Sequence, residues 1–177
     1  MKKKIQVIAV ALMFAAMLVA PVLAAPATKI EGVTMTAAVI QTPNPGSPRM
    51  VSHDTISHSE GTSTGTVTLD IPMPSGPLVL TGDYDSEWIG RGKISEDPAE
   101  SEVIIMGKVV LTFTGGTFEG VIQRKIIGFP PDPPTVIPYF EDYLVLHGTG
   151  DFQGQTLKLS YTGTPPVIQE GYLIIPK

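Results

Sequence analysis

Apolar residues recur at every second position in several stretches of this chain, the period of strands that turn one face inward. In Thr66–Ile71, Val67, Leu69 and Ile71 point one way while Thr66, Thr68 and Asp70 point the other. Glu31 to Ile40 alternates more loosely through Val33, Met35, Ala37 and Val39 and reads as a first strand. Leu78 to Arg91 reads as another, with a bulge or corner expected at Gly82. Val103 to Phe113 is a further candidate: Val103, Ile105, Val109, Leu111 and Phe113 share a face, and Ile104, Met106 and Val110 lie on the other. Two apolar faces predict a central strand, covered by core on one side and partly covered on the other. Val121 to Ile127 returns as its antiparallel partner. Tyr139–Leu146 and Gln155–Tyr161 form a further hairpin with Leu157, Leu159 and Tyr161 inward, and Gly171–Ile175 is a closing strand.

Proline and glycine punctuate this pattern. Thr42 to Pro48 holds three prolines in seven residues and cannot serve a sheet ladder. Pro72 to Pro77 makes a turn, and Ser95 to Glu102 is a charged connection in which Ser95 can cap a helical turn with Pro98 early in it. Phe129 to Pro138 has five prolines in ten residues, a stiff excursion expected at the edge of the sheet or outside it. Arg49 to Gly65 is polar and rich in Ser, Thr and His, and fits a solvated strand or a loop equally well. Eight or nine strands with no helix beyond the first 25 residues predict an all-β chain. The expected fold is a single antiparallel β-barrel of about eight strands, with a β-sandwich as the alternative. Residues 26–65 supply its N-terminal strand and polar segment and residues 66–177 its core, the whole of 26–177 being one domain.

A glycine-cornered motif occurs twice, as Gly116-Thr-Phe-Glu-Gly120 and Gly150-Asp-Phe-Gln-Gly154, related by a shift of 34 residues with apolar alternation before each. In the settings Thr114–Gly120 and Leu146–Gly154 it resembles the small secreted β-barrels grouped with allene oxide cyclase and dirigent proteins, including uncharacterised prokaryotic members. The resemblance spans about Val103 to Ile175 and implies an eight-stranded up-and-down barrel with a lumen. No catalytic residue of those families has a counterpart here, so no activity is implied.

The N-terminus changes the picture of where this barrel works. Met1-Lys2-Lys3-Lys4 precedes fourteen residues, Val7 to Ala20, without a polar side chain, and Pro21 follows. This is the pattern of a secretory signal helix over residues 1–25, with cleavage expected after Ala24 or Ala27. The alternative is an uncleaved anchor, which would then be the chain's one membrane contact. Either places the remainder in the extracytoplasmic envelope or outside the cell. Losing the three leader lysines takes the net charge from −5 to −8, which disfavours a nucleic-acid partner. There is no cysteine, so thiol catalysis, thiolate metal sites and disulfides are excluded, and stability must come from a hydrophobic core or from closure of the sheet.

Candidate chemistry is sparse. Trp88, the single tryptophan, can stack on a planar ligand in a barrel mouth or plug the core. His147 and Glu119 lie beside the two glycine corners, where a lumen mouth would bring an acid or base to bear. These three, Trp88, Glu119 and His147, are the candidate ligand-binding residues; no catalytic set and no metal site is assigned. Asp83, Asp85 and Glu87 share a strand face but fail the calcium-loop pattern, since Trp88 and Ile94 stand where glycine and glutamate are needed. His53, Asp54, His58 and Glu60 have zinc-ligand chemistry, but the histidine spacing sets the two rings on opposite faces of a strand. No hydrolase elbow, zinc-protease helix or phosphate loop is present, and no cofactor is expected. The chain therefore reads as an exported, non-catalytic barrel holding a small apolar or amphipathic ligand in its lumen. The alternatives are a cyclase- or isomerase-like enzyme using a barrel pocket and a structural cell-surface protein.

Overall fold

Alternation becomes pairing in the computed structural model, which describes residues 26–47, 49–52, 56–93, 95, 97–128 and 138–177. The strands are β1 (Thr28–Pro43), β2 (Arg49–Ser52), β3 (Ile56–Ile71), β4 (Leu78–Lys93), β5 (Glu102–Phe113), β6 (Gly116–Ile127), β7 (Tyr139–Gly148), β8 (Thr156–Gly163) and β9 (Gln169–Ile175). Every pairing is antiparallel, and the sheet closes when β9 meets β1 and β1 meets β3. Eight staves make an up-and-down barrel, and no α-helix occurs among the described residues. The sandwich alternative is set aside by this closure.

β2 is not a ninth stave. β1 pairs with β3 as far as Pro43 opposite Gly61, and β2 resumes at Arg49 opposite His58, so β2 continues the lane of β1 beyond the proline break. Within the break, Asn44 N donates to Glu60 O and Glu60 N donates to Ser47 Oγ. The polar segment Arg49–Gly65 is thus largely strand.

Paired residues can be followed round the barrel from Val79 through Asp70, Thr34, Glu170, Ser160, Tyr143, Gln123 and Met106 to Ile89, ten residues further along β4. With a rise of ~3.3 Å per residue and ~4.8 Å between strands, that stagger tilts the staves by roughly 40° and gives a backbone radius of roughly 8 Å. Such a barrel is just wide enough to be filled by side chains or to enclose one small ligand.

The two ends of the interior differ. At the end that carries the β5–β6 and β7–β8 turns, Val67, Leu69, Val109, Leu111, Leu144, Leu146, Leu157, Leu159 and Leu173 are wholly buried. Phe113, Phe118 and Phe152 close that end, with the Phe118 and Phe152 rings stacked at 4.9 Å and Phe113 edge-on to both. The two glycine-cornered motifs therefore meet, although their backbones differ. The first lies inside β6 after a tight turn at Thr114–Gly115, and the second makes a 3-10 turn, Gly150–Phe152, before β8. Outward positions mix polar residues, Thr62, Thr64, Asp83, Asp85, Glu87 and Lys108, with exposed apolar ones, among them Ile40, Ile89, Met106 and Val121.

Three local expectations are corrected. β4 runs through Gly82 without a register shift, so there is no bulge. Glycine is required there because a Cβ would run into the Thr112 carbonyl and the Phe113 ring. The outer face of β5 is uncovered: Ile104 and Met106 are 40% and 62% exposed. Its apolar character does not signal a second layer. The turn before β5 is a 3-10 turn at Pro98–Glu100 whose Ala99 N–H is capped by Asp97 Oδ1 rather than by Ser95. The leader 1–25, His53, Asp54 and positions 129–137 of the proline run lie outside the described residues.

Candidate ligand site at the barrel mouth

At the other end the inward face changes character. On β3 the inward positions become Gly61, Ser63 and Gly65; on β4 they are Tyr84, Ser86, Trp88 and Gly90; on β6 Arg124 follows Ile122; on β7 Asp142 precedes Leu144; and β9 opens with Gln169. Arg124 and Asp142 are 18 residues apart in sequence, yet the β6–β7 register places them directly opposite one another. Both point inward because each shares parity with the leucines and isoleucines of its own strand.

Their geometry is that of a closed network. Arg124 Nε donates to Asp142 Oδ1 at 2.7 Å and Arg124 Nη2 to Asp142 Oδ2 at 2.6 Å, a bidentate pair. Gln169 Nε2 donates to the same Oδ2 at 3.0 Å. The Asp142 side chain has no exposed surface, whereas that of Arg124 keeps 20%. The guanidinium carbon also lies 5.3 Å from the centre of the Phe140 ring. Burial alone would lower the Arg124 pKa; the hydrogen bonds and charge of Asp142 outweigh it and leave the pKa above its ordinary value. Tyr84 is raised too, mainly by burial, with the Ser86 hydroxyl and Arg124 pulling the other way. The phenol is therefore neutral and a weak acid.

Trp88 Nε1 donates to Ser63 Oγ at 3.1 Å. The indole crosses the inward face of Gly61, where an added Cβ would sit 2.7 Å from the Trp88 ring. These groups surround a cavity of about 80 Å³ whose remaining wall is Met35, Ala37, Val39, Gln41, Ile105, Ile122 and Val167. That is room for several waters at ~10–15 Å³ each, and well below the ~300–1,000 Å³ of sites for drug-sized ligands. Gln169 Oε1 is buried and has no hydrogen-bond partner among the described residues. Two wider grooves, of about 510 and 500 Å³, lie outside the barrel over β3–β5 and are lined mostly by outward residues such as Thr62, Glu87 and Lys108.

Of the residues singled out from the sequence, Trp88 belongs to this site. Glu119 and His147 do not: they face each other across β6 and β7 on the exposed outer surface, near the apolar end. Thr117 Oγ1 donates to Glu119 Oε1 at 2.8 Å, and His147 Nδ1 lies 3.3 Å from Thr156 Oγ1. Asp83, Asp85 and Glu87 form an outward row on β4, and His58 Nε2 is 4.0 Å from Glu60 Oε2. Among the described residues no group of three metal-ligating side chains converges. Sequence reasoning passed over Ser63, Tyr84, Ser86, Arg124, Asp142 and Gln169. The available signal was charge at an inward parity: Arg124 lies two residues from Ile122 and Ile126, and Asp142 two residues from Leu144.

Fold and site together define a closed antiparallel barrel, apolar at one end and holding a small cavity with a buried polar pole at the other. Comparison of the chain with protein-family models, with curated proteins and with solved structures finds no match. Function must therefore be argued from geometry.

Proposed function

We propose that this chain is an exported, non-catalytic barrel that binds a small amphipathic molecule in its mouth. The observation that carries this is the cavity itself: one wall is apolar, and the other converges on the Arg124–Asp142–Gln169 network. A binding pocket characteristically pairs an apolar lining with a few placed polar groups. The volume limits what is enclosed to a head group and a few carbons, the rest of the molecule leaning on Val39, Val167 and Trp88 toward solvent. The leader sequence supports export. The enzyme alternative rests on Glu119 or His147, and both lie outside the lumen; the groups inside are an ion pair satisfied by its own members and a phenol held neutral, neither of which is a poised base.

Emission from Trp88, the single tryptophan, is the natural reporter. Titration with 1-hexanol should shift it saturably, and Ala37→Phe, which fills the cavity wall without adding a second tryptophan, should abolish the shift. Emission that stays constant up to the solubility limit, or an equal response from the Ala37→Phe protein, would defeat the proposal. Expression with the native N-terminus followed by cell fractionation tests export.

A further inference from the structure

We infer that the polar pole of the cavity selects a neutral head group that both donates and accepts a hydrogen bond, a hydroxyl or a primary carboxamide, over a carboxylate or an ammonium. This rests on the binding reading above and specifies its ligand. The orientation of Gln169 is fixed by chemistry. Its Nε2 donates to Asp142 Oδ2 at 3.0 Å, and turning the amide over would set two acceptors against each other. Oε1 is therefore the atom left without a partner among the described residues, on a residue only 4% exposed that lines the cavity. An acceptor buried without a donor has lost its water and gained nothing for it, so an incoming N–H or O–H is favoured there.

The neighbouring donors complete the pattern. Arg124 spends Nε and Nη2 on Asp142, and Nη1 bonds to no other group among the described residues. Ser63 Oγ already accepts from Trp88, which leaves its own O–H to donate. The pole thus sets Oε1, an acceptor with no donor among the described residues, beside these two donors, with the Tyr84 and Ser86 hydroxyls on the same wall able to donate or accept. Its net charge is zero, because Arg124 and Asp142 cancel. A carboxylate would gain no unpaired cation and would bring its oxygens up to Gln169 Oε1, acceptor against acceptor. An ammonium would satisfy Oε1 but leave the guanidinium facing a like charge. A hydroxyl or a carboxamide satisfies both sides without bringing in a charge to desolvate.

The test compares four ligands with one tail: 1-hexanol, hexanamide, hexanoate and hexylammonium, titrated at neutral pH into the full chain. The readout is the Trp88 indole N–H resonance, unique because the sequence has one tryptophan. The alcohol and the amide should bind at least about tenfold more tightly than either ion, the scale expected when a buried polar group is left unpaired. Gln169→Met, close in shape but without the acceptor, should bring the alcohol and amide affinities down toward those of the ions. The wild-type series is decisive by itself should that variant fold poorly. Hexanoate or hexylammonium binding as well as hexanol would overturn the head-group inference while leaving the binding site intact. Failure of all four to move the resonance would mean that water alone occupies the pole, and would overturn both.

Discussion

Cutting the Arg124–Asp142 pair from one side and then the other should give unequal losses, and the structure fixes the order. Arg124→Met leaves a carboxylate with no exposed side-chain surface and one remaining donor, Gln169 Nε2. Removing one partner of a buried pair costs about 3–5 kcal/mol. Asp142→Leu instead strands a guanidinium that retains 20% exposure and reaches the cavity, so its cost should be lower, about 2 kcal/mol. The double variant removes both charges and should be less damaged than Arg124→Met alone, since apolar replacements of similar volume are often neutral. At about 2–4 °C per kcal/mol for a chain of this size, Arg124→Met should melt roughly 10 °C below wild type. Thermal and urea melts followed by circular dichroism measure all three proteins. A loss below about 1 kcal/mol for Arg124→Met, or a double variant worse than the sum of the singles, would refute the reasoning.

Phe118→Ala should cost about 3–5 kcal/mol, because that ring is fully buried and stacked on Phe152, whereas half-buried Phe152 should cost less; urea midpoints compare the two. Burial raises the Tyr84 phenol, so the folded state holds its proton at pH values where the unfolded chain has lost it, and stability contributed at neutral pH should decline above about pH 10. Tyr84→Phe should flatten that alkaline slope, and an unchanged slope would assign it to other groups. Glu119→Gln and His147→Ala touch only the outer surface; each should shift stability by no more than about 0.5 kcal/mol and leave hexanol binding unchanged.

The barrel was legible wherever the interior is apolar. Val67, Leu69 and Ile71, or Leu157 and Leu159, announce their strands because every inward position is greasy and every outward one is wet or small. The signal fades at the mouth for a physical reason: of the inward positions there, Gly61 lies under the Trp88 ring, Ser63 lines the cavity, and a Cβ at Gly65 would run into the backbone of Ala38 and Val39 on β1. The first half of β3 therefore looks polar throughout, and the sequence leaves strand and loop undecided there. The site was less legible still. Arg124 and Asp142 each sit at an inward parity, but their partnership depends on the β6–β7 register across the proline-rich connection, which no local pattern specifies. Glu119 and His147 drew attention through their place beside glycine corners, yet each alternates with a buried neighbour on its own strand, Phe118 on β6 and Leu146 on β7, so both face outward.

The unequal ends have an energetic logic. Nine wholly buried Val and Leu side chains and the Phe113–Phe118–Phe152 plug give one half of the barrel a core that needs no disulfide. At about 1.5–3 kcal/mol for each fully buried large apolar side chain, that half alone supplies stabilisation well beyond what a buried ion pair and an unpartnered amide oxygen take away. Closure of the sheet transmits this surplus, because each stave carries both ends: β6 holds Phe118 and Arg124, and β7 holds Leu146 and Asp142. The mouth can thus keep polar groups facing a cavity in fixed geometry, which a hydrophobic core of the same volume would have no reason to preserve.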